Sequence, residues 1–349
     1  MERVRVVLPF VVAALIAGSA LAQPHLVFDH SIGAERKPDE DGWMNFVAIS
    51  RDGLTAVSNW NAQGNMGGEL AFWAFPGGKF LRGVPGTALA ISEDFAYLAT
   101  ATSVLNLQMG KSVFGVSQMG DWLTTAAFSS EGKYVAFVDD RAISKQRRGR
   151  IVVLNTSDGA EVSRFGNRFT GALAFHPDDA TLASGHWNRV TLWNAATGAR
   201  LALLTGNPKP VSAASDGYSR DGSYIRGIGF SRNGSLLAAG TDDGELQIWD
   251  FTNRKLLRSL KIGGLDVSNP AFSPDGRLVA AGTYGDGTVT LVDVASGKIL
   301  SQIQVSMFGC GSVAFSPDGA YLVTPSNGGT LNDGKHVRGG TIRVFRVVE

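Results

Sequence analysis

The stretch Ser312-Val-Ala-Phe-Ser-Pro-Asp-Gly319 decides the fold, because variants of it return at six other places in the chain. Each copy has a short apolar run, then Ser or His, then a polar turn. The other copies begin at Phe46, Ala88, Thr125, Ala172, Gly227 and Asn269. Their Ser or His column falls at positions 50, 92, 129, 176, 231, 273 and 316, at intervals of 37 to 55 residues. A repeat of about 40 to 45 residues is typical of four-stranded propeller blades.

Each copy predicts an inner strand that runs into a tight turn, because Pro presets φ and Gly tolerates positive φ. The second strand, for example residues 236–240, consists of small apolar residues that suit a strand covered on both faces. The third strand carries another repeated column, occupied by Trp73, Leu107, Leu154, Trp193, Trp249, Val292 and Phe345. We predict that its tryptophans pack between blades. Asp250 and Asp293 follow this column, and we expect them to form hydrogen bonds that hold the blade.

The triplet Ile248-Trp-Asp250, its partial echoes Leu192-Trp-Asn194 and Val292-Asp293, and the Phe-Ser-Pro-Asp-Gly phrases resemble the WD-repeat family. The resemblance covers nearly all of the chain after residue 22 and is best in blades 4 to 7, whereas blade 2 is degenerate. The Gly-His pair that often precedes the first strand in that family is missing from every blade. The resemblance implies an all-β fold, a seven-bladed β-propeller of four-stranded antiparallel blades, in a bacterial-type exported member of the family.

The last blade lacks a fourth strand in the sequence, because residues 342–349 have the pattern of a third strand and the chain stops there. Residues 25–32 resemble a fourth strand. We therefore predict that this N-terminal strand pairs with the C-terminal blade and closes the ring, which removes an exposed edge. Residues 23–349 are predicted to form a single propeller domain.

Residues 1–22 have the pattern of a signal peptide. Arg3 and Arg5 precede an apolar run over residues 6–17, and Ala20-Leu-Ala22 predicts cleavage after Ala22. An uncleaved anchor is the alternative, although the run is short for a bilayer span, which needs about 20 residues. We expect a periplasmic or secreted protein with no membrane span after cleavage.

Composition limits the partners. The chain of 349 residues has 32 Lys and Arg against 31 Asp and Glu, which removes the electrostatic argument for nucleic acid. Its 44 glycines suit a fold with many tight turns. Cys310 is the only cysteine, so no internal disulfide can form, and we expect it to be a packed small residue. We also expect a monomer.

Long connections between strands are predicted on one face of the ring. Strands that alternate in direction place the first and third turns of each blade on one face, and the other connections on the opposite face. The connections at 33–42, 59–68, 139–149, 206–225 and 325–340 all fall on the second of these faces. Long loops in a compact fold are often functional, so we predict a docking face there. The alternative is that insertions are merely tolerated on that side.

The partner-binding residues predicted on this face are Trp43, Trp60, Trp122, Arg147, Arg148, His186, Trp187, Tyr218 and Tyr284. Exposed Trp and Tyr side chains bury a large area and freeze few rotamers on binding, although several could instead cap strand ends. The basic cluster that contains the two arginines could contact an acidic partner or form a solvated hairpin tip.

The sequence contains no phosphate loop, dinucleotide fingerprint or nucleophile elbow, and we assign no catalytic residue, metal or cofactor. His176 replaces Ser in a repeat turn, so we expect a structural role for it. The pairs Asp139-Asp140 and Asp242-Asp243, together with Asp286, could converge and bind calcium, but such sequences are also ordinary turns.

Two classes of function remain. The first is a scaffold that binds a protein or peptide through the face with the long loops. The second is a propeller enzyme, or a small-ligand or metal-binding protein, with its site at the channel mouth; a subunit of an exported redox complex is a further alternative. The inner strands consist largely of Ala, Ile, Phe, Gly and Ser, which favours the scaffold because an enzyme needs converging His or acidic residues. The fold alone does not decide between these classes of function, because propellers occur in both.

Overall fold

The computed structural model describes residues 23–33, 42–62, 68–116, 125–139, 150–166, 170–206, 224–307 and 309–349. These residues form strands and turns. No helix among them is long and apolar enough to cross a membrane. The strands make seven antiparallel sheets, and we letter the strands of each blade a to d from the central channel outward.

The strands are assigned to blades as follows. The first, β1 (His25–Ile32), belongs to blade 7. Blade 1 contains β2 (Gly42–Trp43), β3 (Val47–Ile49), β4 (Thr55–Ala62), β5 (Glu69–Ala74) and β6 (Phe80–Pro85). Blade 2 contains β7 (Ala88–Ile91), β8 (Tyr97–Thr100), β9 (Ser103–Asn106) and β10 (Lys111–Gly115). Blade 3 contains β11 (Ala126–Phe128), β12 (Tyr134–Asp139), β13 (Arg150–Asn155) and β14 (Glu161–Phe165).

The remaining blades repeat this order. Blade 4 contains β15 (Ala172–Phe175), β16 (Thr181–His186), β17 (Arg189–Asn194) and β18 (Arg200–Thr205). Blade 5 contains β19 (Ile225–Phe230), β20 (Leu236–Thr241), β21 (Glu245–Asp250) and β22 (Lys255–Lys261). Blade 6 contains β23 (Ala271–Phe272), β24 (Leu278–Gly282), β25 (Thr288–Asp293) and β26 (Ile299–Gln304). Blade 7 contains β27 (Ala314–Phe315), β28 (Tyr321–Thr330), β29 (His336–Val348) and β1.

The repeated phrase forms a hydrogen-bonded turn between strands a and b. In five blades a serine hydroxyl donates to the Asp or Asn two residues later at 2.5–2.8 Å. The same oxygen accepts the amide of the fifth residue on, at 2.9–3.0 Å. The residue three places after the Ser or His has positive φ in all seven blades, and it is Gly in five of them. The phrase is therefore a compact turn whose chemistry the sequence specifies completely.

Blades 3 and 4 use a variant of this turn that joins neighbouring blades. The carboxylate of Asp179 in blade 4 accepts the amides of Ser130 and Glu131 in blade 3, at 2.6 and 3.1 Å. His176 places Nε2 at 3.1 Å from the carbonyl of Gly234 in blade 5 and stacks on Phe251, with ring centroids 4.5 Å apart. The histidine is thus a packing and hydrogen-bonding element between two blades.

The core consists of seven hydrophobic clusters, one at each junction between adjacent blades. Trp73 and Trp249 are buried in these junctions and Trp193 is half-buried, as the repeated column predicts. Asp250 and Asp293 accept the amides of Asn253 and Ser296, at 2.9 and 2.7 Å, and so cap the turn between strands c and d. The seven junctions make a closed, seven-bladed β-propeller.

The N-terminal strand closes the ring, as predicted. β1 pairs antiparallel with β29 from His25 opposite Val348 to Ile32 opposite Ile342. Its Leu26 packs with the junction to blade 6 and its Ile32 with the junction to blade 1. Closure thus joins two hydrophobic clusters as well as completing a sheet.

The predicted loop at 325–340 is wrong, because most of it is strand. β28 continues to Thr330 and β29 starts at His336, so only residues 331–335 form the turn. The glycines and polar residues of this stretch disfavour strand by intrinsic propensity, but pairing that starts in the buried ladder extends through them. Strand β4 similarly continues through Ala62, inside the predicted connection 59–68.

Deletion of residues 24–32 removes the fourth strand of blade 7. We expect a lower melting temperature and self-association in size-exclusion chromatography, because β29 then presents an unpaired edge. Ser31→Ala is the control, since it keeps the strand. A deletion variant that melts like the parent and remains monomeric would contradict closure by this strand.

Trp249 allows the packing of the repeated tryptophan column to be tested, because blade 5 lacks an indole hydrogen bond that two other blades have. The indole nitrogens of Trp73 and Trp193 donate to Ser58 and Ser184, at 3.3 and 2.8 Å. The equivalent position in blade 5 is Ala239, and the buried indole nitrogen of Trp249 finds no acceptor among the described residues.

We expect Ala239→Ser to supply that acceptor and raise the free energy of unfolding by about 1 kcal/mol. Ser184→Ala should lower it by about 1–3 kcal/mol, because it leaves a buried donor unpaired. Ala238→Ser is the matched control, since its hydroxyl would face the opposite junction, and it should destabilise. Urea titration measures all three; an Ala239→Ser variant no more stable than Ala238→Ser contradicts the assignment.

Candidate functional site

The strand directions give the ring two different faces. The a–b and c–d turns lie together on one side, which we call the turn face. The b–c turns and d–a connections lie on the other side, which we call the loop face. The long connections predicted from sequence all start or end on the loop face, although residues 34–41, 63–67, 140–149 and 207–223 lie outside the described part of the chain.

The structure describes the side chains of three of the nine predicted site residues: His186, Trp187 and Tyr284. The backbones of Trp43 and Trp60 lie close together, since Trp43 pairs with Asn61 where β2 meets the end of β4. The other four residues lie outside the described ranges: Trp122, Arg147, Arg148 and Tyr218.

Trp187 belongs to an aromatic and charged cluster on the loop face. It occupies the b–c turn of blade 4 and packs against Tyr224, with ring centroids 4.4 Å apart. The guanidinium of Arg226 lies 5.9 Å from the Tyr224 ring centroid. Its Nε lies 3.2 Å from Oδ1 of Asp266, in a pair that is about 40% exposed on each side. An exposed ion pair of this kind contributes at most about 1 kcal/mol to the free energy of unfolding. Its main effect is therefore to orient Arg226.

Asp242 anchors this cluster from below. Its Oδ1 accepts the amide of Tyr224 at 2.7 Å, and its backbone carbonyl accepts the amide of Asp266 at 2.9 Å. Burial raises the pKa of the Asp242 carboxyl, whereas the Tyr224 amide and the Arg226 guanidinium act in the opposite direction. One b–c turn therefore fixes the d–a connections on both sides of blade 5.

An exposed apolar strip crosses blades 5 to 7 on the same face. Leu265 is 58% exposed, Tyr284 37% and Met307 51%. Leu265 lies over Gly285, and Met307 lies over Gly329 in the extended hairpin of blade 7. Burial raises the pKa of the Tyr284 phenol, and the nearby acidic groups of Cys310 and Asp266 raise it further. A side chain in place of either glycine would meet Leu265 or Met307.

His186 is less available than its position in the sequence indicates. Its ring nitrogens are shielded from solvent, and its ring lies 6.0 Å from that of Trp187. Both residues are half-buried.

The sequence analysis missed four residues of this surface: Tyr224, Arg226, Leu265 and Met307. Leu265 and Met307 carried a usable signal, because both are large apolar residues within connections that are otherwise Gly-rich or polar. Arg226 carried none, since its role depends on the path of the preceding connection.

Of the acidic residues considered for calcium, Asp140 lies outside the described residues, and the other four are hydrogen-bond or ion-pair partners within the fold. Thr241 donates to Asp243 at 2.5 Å, and Thr283 donates to Asp286. Asp139 pairs with Arg164 beside β12. Within the ranges that the structure describes, no group of three His, Cys, Asp or Glu residues is placed to hold a metal ion.

Cys310 lies beneath Tyr284 and is fully buried. Its Sγ lies 2.7 Å from the Thr324 hydroxyl, and burial raises the pKa of the thiol to about 12. Such a thiol is not a nucleophile at neutral pH, which agrees with the packing role expected from sequence.

Comparison with known proteins agrees with this architecture. Residues 199–250 and 255–293 match the WD40 family, described as WD domain, G-beta repeat. These segments contain parts of blades 4 to 6, where the repeat phrases are most regular. The protein is therefore a seven-bladed β-propeller, two segments of which match the WD-repeat family.

Three curated proteins share part of this sequence. Small ribosomal subunit protein RACK1y of Oryza sativa subsp. japonica is 29% identical over 31% of the chain and 28% of its own length. Periodic tryptophan protein 2 homolog of Schizosaccharomyces pombe is 32% identical over 31% of the chain and 11% of its length. WD repeat-containing protein VIP3 of Arabidopsis thaliana is 29% identical over 32% of the chain and 35% of its length. The chain thus matches about a third or less of each relative.

The burial of Cys310 makes a testable prediction. We expect no reaction with a thiol reagent at pH 8 in native buffer, because a pKa of about 12 leaves roughly one thiol in ten thousand ionised. Reaction should be complete in denaturant. Rapid labelling of the folded protein, judged against free cysteine at the same pH, would show that the thiol is accessible.

Proposed function

We propose that this protein is an exported WD-repeat propeller that acts as a scaffold, binding a protein or peptide through its loop face. The observation that carries the proposal is the exposed strip of Leu265, Tyr284 and Met307. WD-repeat propellers are typically interaction scaffolds, which supports the class of function. Proposed contacts from the sequence analysis join this strip: Trp43, Trp60, Trp122, Arg147, Arg148, His186, Trp187 and Tyr218.

The chemistry of the strip favours a partner with apolar anchors. Leu265 and Met307 are more than half exposed. The amide of Met307 donates to the carbonyl of Gly328, and the amide of Asp266, next to Leu265, donates to the carbonyl of Asp242, both at 2.9 Å. A partner that covers them gains hydrophobic free energy without having to order a loop first. Trp187 and the oriented Arg226 lie at one end of the strip, where they add an aromatic and a cationic contact.

Export and monomeric state are parts of the same proposal. The pattern of residues 1–22 supports a cleavable signal peptide and a periplasmic or secreted location. Closure by β1 supports a monomer, because it pairs with β29, which would otherwise be an unpaired edge with the length of a buried strand.

Photo-crosslinking in the native host tests the proposal. A photoreactive amino acid is placed at Leu265 or Met307 on the loop face, and at Leu54 or Met109 on the turn face as matched controls. The controls are 65% and 66% exposed, so exposure alone would favour them. We expect one discrete adduct from both loop-face positions and none from the controls.

The recovered protein should begin at Gln23 and come from the periplasmic or secreted fraction. Adducts from the turn-face positions alone, or none from any position, would overturn the docking face. An uncleaved N-terminus would overturn the proposed export.

A further inference from the structure

A cavity of about 630 Å³ opens at the centre of the turn face, on the side of the ring opposite the proposed docking face. Apolar residues of the inner strands, including Ile49, Phe175, Phe230, Phe272 and Phe315, form part of its wall, beside polar groups of the turns. It extends along the channel to Pro270 and Val313. This volume lies within the range of about 300–1,000 Å³ that small-ligand pockets occupy.

The rim of this cavity has one residue from each blade. In every blade it is the residue that follows the Ser or His of the repeat turn: Arg51, Glu93, Ser130, Pro177, Arg232, Pro274 and Pro317. Glu131 adds a fourth charged side chain. Because all seven turns share the same two backbone hydrogen bonds, the rim is rigid, and its charge depends on which residues occupy these positions.

Charges of both signs occupy different parts of the rim. Glu93 and Glu131 come from the adjacent blades 2 and 3, whereas Arg51 and Arg232 come from blades 1 and 5. In the part of the chain that the structure describes, none of the four is in an ion pair. Asp179, whose carboxylate also acts on the pKa of Glu93, already accepts two amides of the blade 3 turn.

The backbone fixes two of these charges relative to each other. The amide of Arg51 donates to the carbonyl of Glu93 at 3.1 Å, which joins the turns of blades 1 and 2. The surrounding protein raises the pKa of the Glu93 carboxyl, although solvent still reaches the side chain, and Arg51 and Arg232 oppose that rise. Both arginines thus act on Glu93, Arg51 from the adjacent blade and Arg232 from blade 5, without an ion pair among the described residues that would have to break before a ligand binds.

We propose that this mouth binds a small zwitterion with an apolar body, of the class of a free apolar amino acid or short peptide. Its ammonium group lies towards Glu93 and Glu131, its carboxylate towards Arg51 and Arg232, and its side chain against the phenylalanines. A simple anion would meet the two glutamates and a simple cation the two arginines, so the rim selects ligands that have both charges. This site is independent of the proposed scaffold function, because it lies on the other face.

Calorimetric titration with leucyl-leucine, up to about 10 mM, tests the proposal. The N-acetylated form lacks the cation and the C-terminal amide lacks the anion. We expect saturable binding of leucyl-leucine at one site, and at least about tenfold weaker binding of each blocked form.

Variants locate the site, and each side chain changed is exposed, so folding should persist. Glu93→Gln with Glu131→Gln should weaken binding of leucyl-leucine but change nothing further for the acetylated form. Arg51→Gln with Arg232→Gln should also weaken binding of leucyl-leucine, but should not weaken binding of the C-terminal amide further. Arg277→Gln is the matched control, because Arg277 lies in the blade 6 turn outside the cavity and pairs with Glu349.

The proposal would be overturned by any of three results: leucyl-leucine shows no saturable binding, the blocked forms bind as tightly as leucyl-leucine, or the Arg277→Gln control loses as much affinity as the rim variants. The photo-crosslinks from the loop face do not depend on any of these outcomes.

Discussion

The serine hydroxyl that ends the inner strand in five of the seven blades is the interaction on which the rest of the propeller depends. It donates to one turn residue and accepts the amide that starts the next strand, so the chain reverses within a few residues. This fixes the a–b connection at nearly the same length in all seven blades. Sequence insertions therefore accumulate at the other end of the strands, and the turn residues form a regular rim.

The two faces consequently differ in kind. The turn face is a repeated structure in which residue identity, above all at the position after the Ser or His, varies around a fixed ring. The loop face is built from connections of unequal length, and its surface depends on how they cross, as where Asp242 joins Tyr224 to Asp266. The first arrangement suits recognition of a small molecule by a few charges, and the second suits a larger partner that covers apolar side chains.

The sequence predicted the features that repeat or that follow from strand direction. Seven phrases predicted seven blades, the apolar pattern of residues 25–32 predicted closure, and the reversal of strands placed Trp187 and Tyr284 on the loop face. Features that depend on one blade meeting another could not be predicted. Asp179 caps the turn of a neighbouring blade, and Phe95 adopts the positive φ that Gly has elsewhere.

Dependence on contacts between strands and blades also explains why parts of the candidate site were predicted wrongly or missed. The stretch after Pro325 has the composition of a loop, yet pairing with β29 makes it a hairpin, because a ladder once started can extend through glycine. The exposure of Leu265 and Met307 depends on glycines of adjacent blades, Gly285 and Gly329, which lie far away in sequence. The rim charges were visible as residues, but their convergence requires the closed ring.

Closure by β1 also sets how the propeller is presented when it is attached to something else. Because β1 is an outer strand that begins opposite Val348, both Pro24 and Glu349 lie on the turn face, beside the turns at Pro274 and Asp318. A tether, carrier or solid support joined to either end therefore holds the turn face towards itself. The loop face then points into the surrounding medium, while the channel mouth lies close to the point of attachment.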